Sequence, residues 1–317
     1  MRIASLIPSG TDIAASLGLE KYLVGKSHTC DHPSVSSLPI LTQSRVRYDM
    51  SPREIDDAVT NAIHNGEGNS SLYVTDRVLL NQLNPDIVLT QTICDVCAVN
   101  ANSAARDLPP NAKLVNLSAT SFAGLWEDLR AVAYAGSTPS TALIERAEEL
   151  IASLQARLEA VRLAVENKPR PKVLVLEWSD PPFIGGHWVP EIIERAGGIH
   201  VLGKIGEPSR RATWEEIAEA DPDVIFLAPC GYNLQETTEQ GRALLEYSGF
   251  ARLRAVQNGN IWATNATHLF SRCTPMSIRA VEVVAGVLHA DVWRSPTEDE
   301  VTKLESSITT PADSASR

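Results

Sequence analysis

Asn84-Pro85-Asp86-Ile87-Val88-Leu89 and Asp221-Pro222-Asp223-Val224-Ile225-Phe226-Leu227 are one signal written twice, a Pro-Asp turn followed by a short apolar run. An unbroken apolar run of that length reads as a strand buried on both faces, as in a parallel sheet. Helical text precedes each copy, Asp76 to Leu83 and Trp214 to Ala220. Working outward, Arg2 to Ile7 is a β-rich run. It is followed by a turn over Pro8-Ser9-Gly10-Thr11-Asp12, an apolar helix over Ile13 to Leu17, and Gly18 as its stop. Lys172 to Glu177 repeats the strand; Trp178 to Trp188 is a longer loop, Pro190 opens a helix and Gly197-Gly198 ends it. Lys113 to Leu117 and Asn260 to Thr264 form a further matching pair of strands. Strands alternating with helices predict parallel sheets with right-handed crossovers. The Pro-Asp turn falls about 83 residues after Arg2 but about 50 after Lys172, which places an insertion in the first half, within Ser34 to Ser71.

Between the halves, Pro139 to Asn167 holds no internal Gly or Pro, and Leu143, Ala147, Leu150, Ile151, Leu154, Leu158, Val161 and Val165 form a helical stripe. At 1.5 Å per residue this is one helix of roughly 40 Å, long enough to join two lobes. The expected fold is α/β, with two Rossmann-like lobes built on parallel sheets and joined by one long backbone helix. The expected bounds are an N-terminal lobe over 1–137, a connecting helix over 138–168, a C-terminal lobe over 169–294 and a mobile tail over 295–317. In that tail Pro, Ser, Thr and acidic residues displace apolar ones.

At 317 residues, 44% hydrophobic and 21% charged, the chain is globular in composition. No apolar run approaches the ~18 residues of a membrane helix. The formal charge of −11 is spread along the chain and argues against a nucleic-acid partner. The N-terminus lacks a secretory apolar region, so the protein as given is expected in the cytoplasm, with the periplasm as the alternative if a signal was removed. Five cysteines form a poor disulfide framework and suit a reducing compartment.

Ligands of open parallel sheets bind where loops leave the carboxyl ends of strands. Here those loops carry Ser9; His28, Cys30 and His32; Cys94 and Cys97; Trp178, Phe183, His187 and Trp188; Cys230 and Tyr232; and Phe270 and Cys273. Trp178, Phe183 and Trp188 in one loop form a stacking platform for a broad flat ligand. His28, Cys30, Cys94 and Cys97 are candidate ligands for zinc or another transition metal, although the Cys-x-x-Cys pair reads equally as a redox pair or a turn. No catalytic constellation stands out, so a binding protein is expected rather than an enzyme.

The chain resembles the cobalamin-binding, substrate-binding proteins of ATP-driven importers, whose two lobes are joined by one long helix, the class III architecture. The resemblance rests on Arg2 to Asp12, Gly25 to Pro33, Pro85 to Gln91 with Cys94 to Ala98, and above all Trp178 to Glu191. It implies a monomer holding cobalamin or a related corrinoid in a cleft between the lobes, as carrier, scavenger or sensor. It further implies aromatic contacts from Trp178, Phe183 and Trp188. The corrin's cobalt lies within the chemistry of His28, His187 or a cysteine, by residue type alone. A bound metal or metal chelate such as haem, held by the His/Cys cluster, is the alternative ligand, and an importer component docking on a permease the alternative role. Glu215 matches the docking glutamate of such proteins, whereas Val78 stands at the corresponding first-half position. Relatives also tend to carry Arg-Pro-Gly-Pro-Arg where this chain has Phe270 to Met276, so that Cys273 replaces a turn residue.

Overall fold

The computed structural model describes residues 1–45, 50–64, 72–93, 99, 101–136 and 140–305. It divides into two compact units: unit 1 is Met1–Ala160 with Arg272–Ile278, and unit 2 is Val161–Ser271 with Arg279–Arg317.

Unit 1 is built on a four-stranded parallel sheet. Its strands are β1 (Ile3–Ser5), β2 (Leu23–Gly25), β5 (Ile87–Gln91) and β6 (Lys113–Leu117), in the order β2-β1-β5-β6. β5 is buried along its whole length, as a central strand covered on both faces must be. The predicted insertion contains β3 (Thr42–Ser44) and, just beyond it, β4 (Tyr73–Thr75), which pair antiparallel as a separate ribbon. The helices are α1 (Pro8–Ser16), α2 (Pro52–His64), α3 (Arg77–Leu83), α4 (Ala101–Asp107) and α5 (Phe122–Ala133). Where the sequence predicted a turn over Pro8 to Asp12, α1 already begins. Pro8 serves as its opening residue, and a Cβ on Gly10 would stand 2.9 Å from both Leu89 Cβ and Ser5 Oγ, so only glycine lets the helix seat on the sheet. The long helix α6 (Thr141–Val165) is present, and the boundary between the units falls inside it.

Unit 2 carries β7 (Lys172–Ser179), β8 (Pro182–Ile184), β9 (Ile199–His200), β10 (Arg210–Arg211), β11 (Val224–Leu227), β12 (Ile261–Thr264) and β13 (Val301–Lys303). β9, β7, β11 and β12 run parallel, while β8, β10 and β13 are added antiparallel. Its longer helices are α7 (Val189–Arg195), α8 (Trp214–Ala220) and α9 (Leu234–Leu245). Three short ones follow, α10 (Ser248–Ala251), α11 (Arg254–Gln257) and α12 (Ala266–Leu269), before α13 (Met276–Leu288), which begins in the segment assigned to unit 1. Two expectations are corrected. Trp178 to Trp188 is not an open loop, because Trp178 and Ser179 end β7 and the chain folds back at once as β8. The segment from Ser295 is not wholly outside the fold, since β13 pairs with β12 and buries Val301 and Leu304. Its last twelve residues, 306–317, lie outside the described residues.

The duplicated turn has the same work in both units. Asn84 and Asp221 cap α3 and α8 in the left-handed conformation, φ 42° and 47°. Two residues on, the Asp86 carboxylate accepts the backbone N–H of Arg2 at 2.7 Å and that of Asp223 accepts the N–H of Lys172 at 2.8 Å. The same two basic residues donate from their side chains to the last carbonyls of the preceding helix, Arg2 to Leu83 and Lys172 to Ala220, where the helix dipole favours a cation.

Candidate functional site

The candidate site of unit 2 is assembled by strand register. At the carboxyl end of β7, Trp178 pairs with Phe183 of β8, and Phe183 pairs in turn with Arg211 of β10. Residues directly opposite in antiparallel strands project from the same face, so the three side chains form one row across about 10 Å, two strand spacings. Arg211 lies over the Phe183 ring, 5.7 Å from its centroid. Tyr232 extends the row from the other end, meeting Trp178 edge to face at 5.7 Å and 78°. Trp178, Phe183 and Tyr232 are each half-buried, which leaves ring surface available to a ligand.

His187 and Trp188 lie beyond a backbone lacing that fixes the hairpin. A Cβ on Gly186 would come within 2.3 Å of the Ser209 nitrogen; the Gly186 N–H donates to Ser209 Oγ, and the His187 N–H donates to the Glu207 carbonyl at 2.6 Å. His187 takes a left-handed φ of 52° and stacks on Trp188 at 5.8 Å. Trp188 uses its indole N–H on the Phe270 carbonyl, 2.9 Å. That bond and the stacking on His187 fix its ring, whereas the strand register that lines up Trp178, Phe183 and Arg211 does not include it. Phe270 itself is 2% exposed and packs on Phe226, a core position. Cys230 is exposed.

In unit 1, Ser9 falls in the first turn of α1. His28 Nδ1 lies 2.7 Å from Thr42 Oγ1, and its ring tilts against Tyr73 at 5.6 Å. Burial lowers the pKa of both His28 and His187, favouring the neutral imidazole. Cys30 is buried, its sulfur 3.1 Å from Thr11 Oγ1, and burial raises its thiol pKa away from the thiolate that a metal requires. Cys94 and Cys97 lie outside the described residues. Among the described residues no group of three or more His, Cys, Asp or Glu is arranged to hold a metal ion.

One pairing was not anticipated from the sequence. Arg272 grips Asp31 with both terminal nitrogens, at 2.7 and 3.0 Å, and reaches Asp12 at 3.1 Å. Arg272 is 8% exposed. Burial opposes its charge, but Asp31 and Asp12 outweigh burial and its pKa is raised; for Asp12 burial outweighs the guanidinium and the pKa is also raised. The nearby Cys273, buried, directs its sulfur toward the Ser121 carbonyl at 3.8 Å. Arg211 was missed as well, because a two-residue strand carries no periodicity; the only signal was a pair of arginines before a helix cap.

The sequence profile of the periplasmic binding proteins matches residues 3–267. A vitamin B12-binding protein of Vibrio cholerae is 25% identical over 297 residues, covering 90% of this chain and 88% of its own. The crystal structure of a periplasmic vitamin B12-binding protein of V. cholerae superposes with a TM-score of 0.63 at 21% identity, over 91% of this chain and 96% of its own. That of a periplasmic haem-binding protein from Pseudomonas aeruginosa gives 0.68 at 18% identity, over 96% and 99%.

Proposed function

Because this chain belongs to the periplasmic binding protein family, we propose that it is the substrate-binding component of an ATP-driven importer and that its ligand is cobalamin or a related corrinoid. The observation that carries this reading is the row Tyr232, Trp178, Phe183 and Arg211: three half-buried rings at the carboxyl ends of strands, the place and chemistry for a broad flat ligand. The B12-binding relative supports the corrin in particular. Ser9, His28, Cys30, His187 and Trp188 are carried forward as proposed contacts, and the neutral imidazoles of His28 and His187 suit an axial position on cobalt. The family description supports the periplasm and gives no support to the cytoplasmic expectation. Glu215 is the proposed permease contact. It is exposed in the first turn of α8 and is paired with Arg252 at 3.1 Å, while Val78, 69% exposed, occupies the equivalent turn of α3.

Mixing the protein with hydroxocobalamin, desalting and recording the absorbance spectrum tests the ligand. Corrin bands should travel with the protein, and Trp178→Ala should weaken binding by about 10- to 100-fold, the value of one large buried ring. A haem-like ligand is the second reading, favoured by the flat row and its terminal cation. Retention of haemin with no retention of the corrin would replace the first reading by the second.

A further inference from the structure

β9 ends at His200, a side chain only 7% exposed. Neither of its ring nitrogens completes a well-formed hydrogen bond, and the Gly203 backbone is the polar group that approaches it. From there the chain crosses to β10 through residues 201–209, none of which is buried. Gly203 touches both sides of this crossing: a Cβ there would stand 2.7 Å from the His200 ring and 2.3 Å from the Gly185 carbonyl oxygen. Beyond it the fastenings are hydrogen bonds to the backbone of the β8 hairpin. The Gly206 N–H donates to the His187 carbonyl at 2.9 Å, the Glu207 carbonyl accepts the His187 N–H, and Ser209 Oγ accepts the Gly186 N–H at 3.1 Å. Two non-glycine residues are held left-handed along these contacts, Leu202 at φ 69° and His187 at 52°, a conformation that relaxes once its surroundings let go. A strained surface segment without buried side chains is the kind that opens locally before a domain unfolds.

We infer that residues 201–209 are an acid-released strap: a proton on His200 frees them from Gly185, Gly186 and His187, and the hairpin that carries Phe183 loosens while the sheet behind it stays folded. The strap runs directly into β10, the outer neighbour of Phe183, so the hairpin feels its release. A neutral imidazole fits beneath Gly203. The imidazolium has N–H donors at both nitrogens, of which the Gly203 backbone can take one; the other stays desolvated until the segment lifts and admits water. The ionisable groups on the surrounding elements are Arg170 and Lys172 at the start of β7, Glu191, Glu194 and Arg195 of α7, Lys204 and Glu207 of the strap, and His289 of α13. Glu191 pairs with Arg195 and Glu207 with Lys204. None of these charges shifts the titration of His200, which burial holds down at about 4 against the Gly203 backbone. Lifting the strap returns the ring to water and its ordinary 6.5, so acid favours the lifted form increasingly as pH falls from 6.5 toward 4. Under the ligand reading above, a ligand held on Phe183 and His187 is then released in acid, whereas the strap itself depends on unit 2 alone.

The test is amide hydrogen exchange of the full chain without ligand at pH 7 and 4.5, each rate expressed as protection against the intrinsic rate at that pH. In the wild type, protection of the Gly186, His187 and Gly206 amides should fall by about 50-fold between the two, the ratio for a group whose pKa returns from about 4 to 6.5 on opening. The Ala228 N–H, bonded to the Leu176 carbonyl in the sheet, should keep its protection. His200→Leu and His200→Gln should each abolish the pH dependence at the three strap amides. Gly203→Ala should lower their protection already at pH 7, because the added Cβ displaces the segment from Gly185. No acid loss in the wild type, an equal loss at Ala228, or an undiminished loss in a His200 variant would overturn the inference, as would full strap protection in Gly203→Ala. Because no ligand enters the measurement, a failed cobalamin titration overturns the ligand reading and leaves the strap standing, while a failed exchange experiment does the reverse.

Discussion

His200 in unit 2 and Asp128 in unit 1 are both buried titratable side chains, 7% and 6% exposed. Burial pushes His200 down to about 4 and Asp128 up to about 6, the latter despite hydrogen bonds from the Ser118 and Ala119 N–H groups. The consequences have opposite sign. For His200 the folded value lies below the unfolded one, so its stability contribution is full above about 6.5 and is lost as pH falls toward 4. For Asp128 the folded value lies above, so its contribution is present below about 3.8 and is lost as pH rises through 6. Each amounts to about 3 kcal/mol over its window. Unfolding by urea at pH 7 and 4.5 should show that His200→Leu loses less stability on acidification than the wild type, and that Asp128→Asn loses more. If both variants track the wild-type pH dependence, the two groups do not titrate in these windows.

At the scale of elements, β13 shows what a sparse pattern can hide. Val301 within it and Leu304 just after it are buried, 5% and 3% exposed, set among charged and polar neighbours that resemble a linker. Tertiary partners override that composition. The Leu304 N–H reaches the Ile261 carbonyl at 2.9 Å, and Leu304 packs so closely over Gly241 that a Cβ there would lie 2.5 Å from it. Glu300 forms a two-point pair with Arg279 at 2.6 and 2.7 Å. A chain ending at Ser295 should lose about 3–5 kcal/mol from the two apolar side chains alone, read as a lower urea midpoint. The legible elements were those with a local cause: the Pro-Asp strands, the helical text before each of them, the long helix, and the helix opened by Pro190. The hairpin β7–β8 was read as a loop because Pro181-Pro182 and Gly185-Gly186 look like breakers. In the fold they are the turn and the close approach to Ser209. The residue types of the aromatic row were visible in the sequence, but their shared face follows only from register.

At the scale of the whole molecule, the division of the chain does not follow its order. Residues 272–278 come late in the sequence yet belong to unit 1, where Arg272 pairs with Asp31 across a separation of 241 residues. No local pattern announces such a pairing, and the residue types alone placed that segment in the C-terminal lobe. The buried guanidinium depends on both carboxylates, and removing it leaves Asp12, itself largely buried, beside Asp31 with no cation between them. Arg272→Met should destabilise unit 1 by about 3–5 kcal/mol, and returning the cluster to its original net charge with Asp31→Asn in the same chain should recover part of the loss in a thermal melt.

The return of residues 272–278 also decides how the gene can be cut. A fragment ending within α6 would contain β1, β2, β5 and β6 in full but would present Asp12 and Asp31 without their cation, so an autonomous first domain is not encoded by any single continuous stretch of this chain. Unit 1 reaches its final form only after nearly the entire polypeptide has been synthesised. In a ribosome-bound series of increasing length, its protection from protease should rise sharply once Arg272 clears the exit tunnel, long after the last strand of its sheet has emerged.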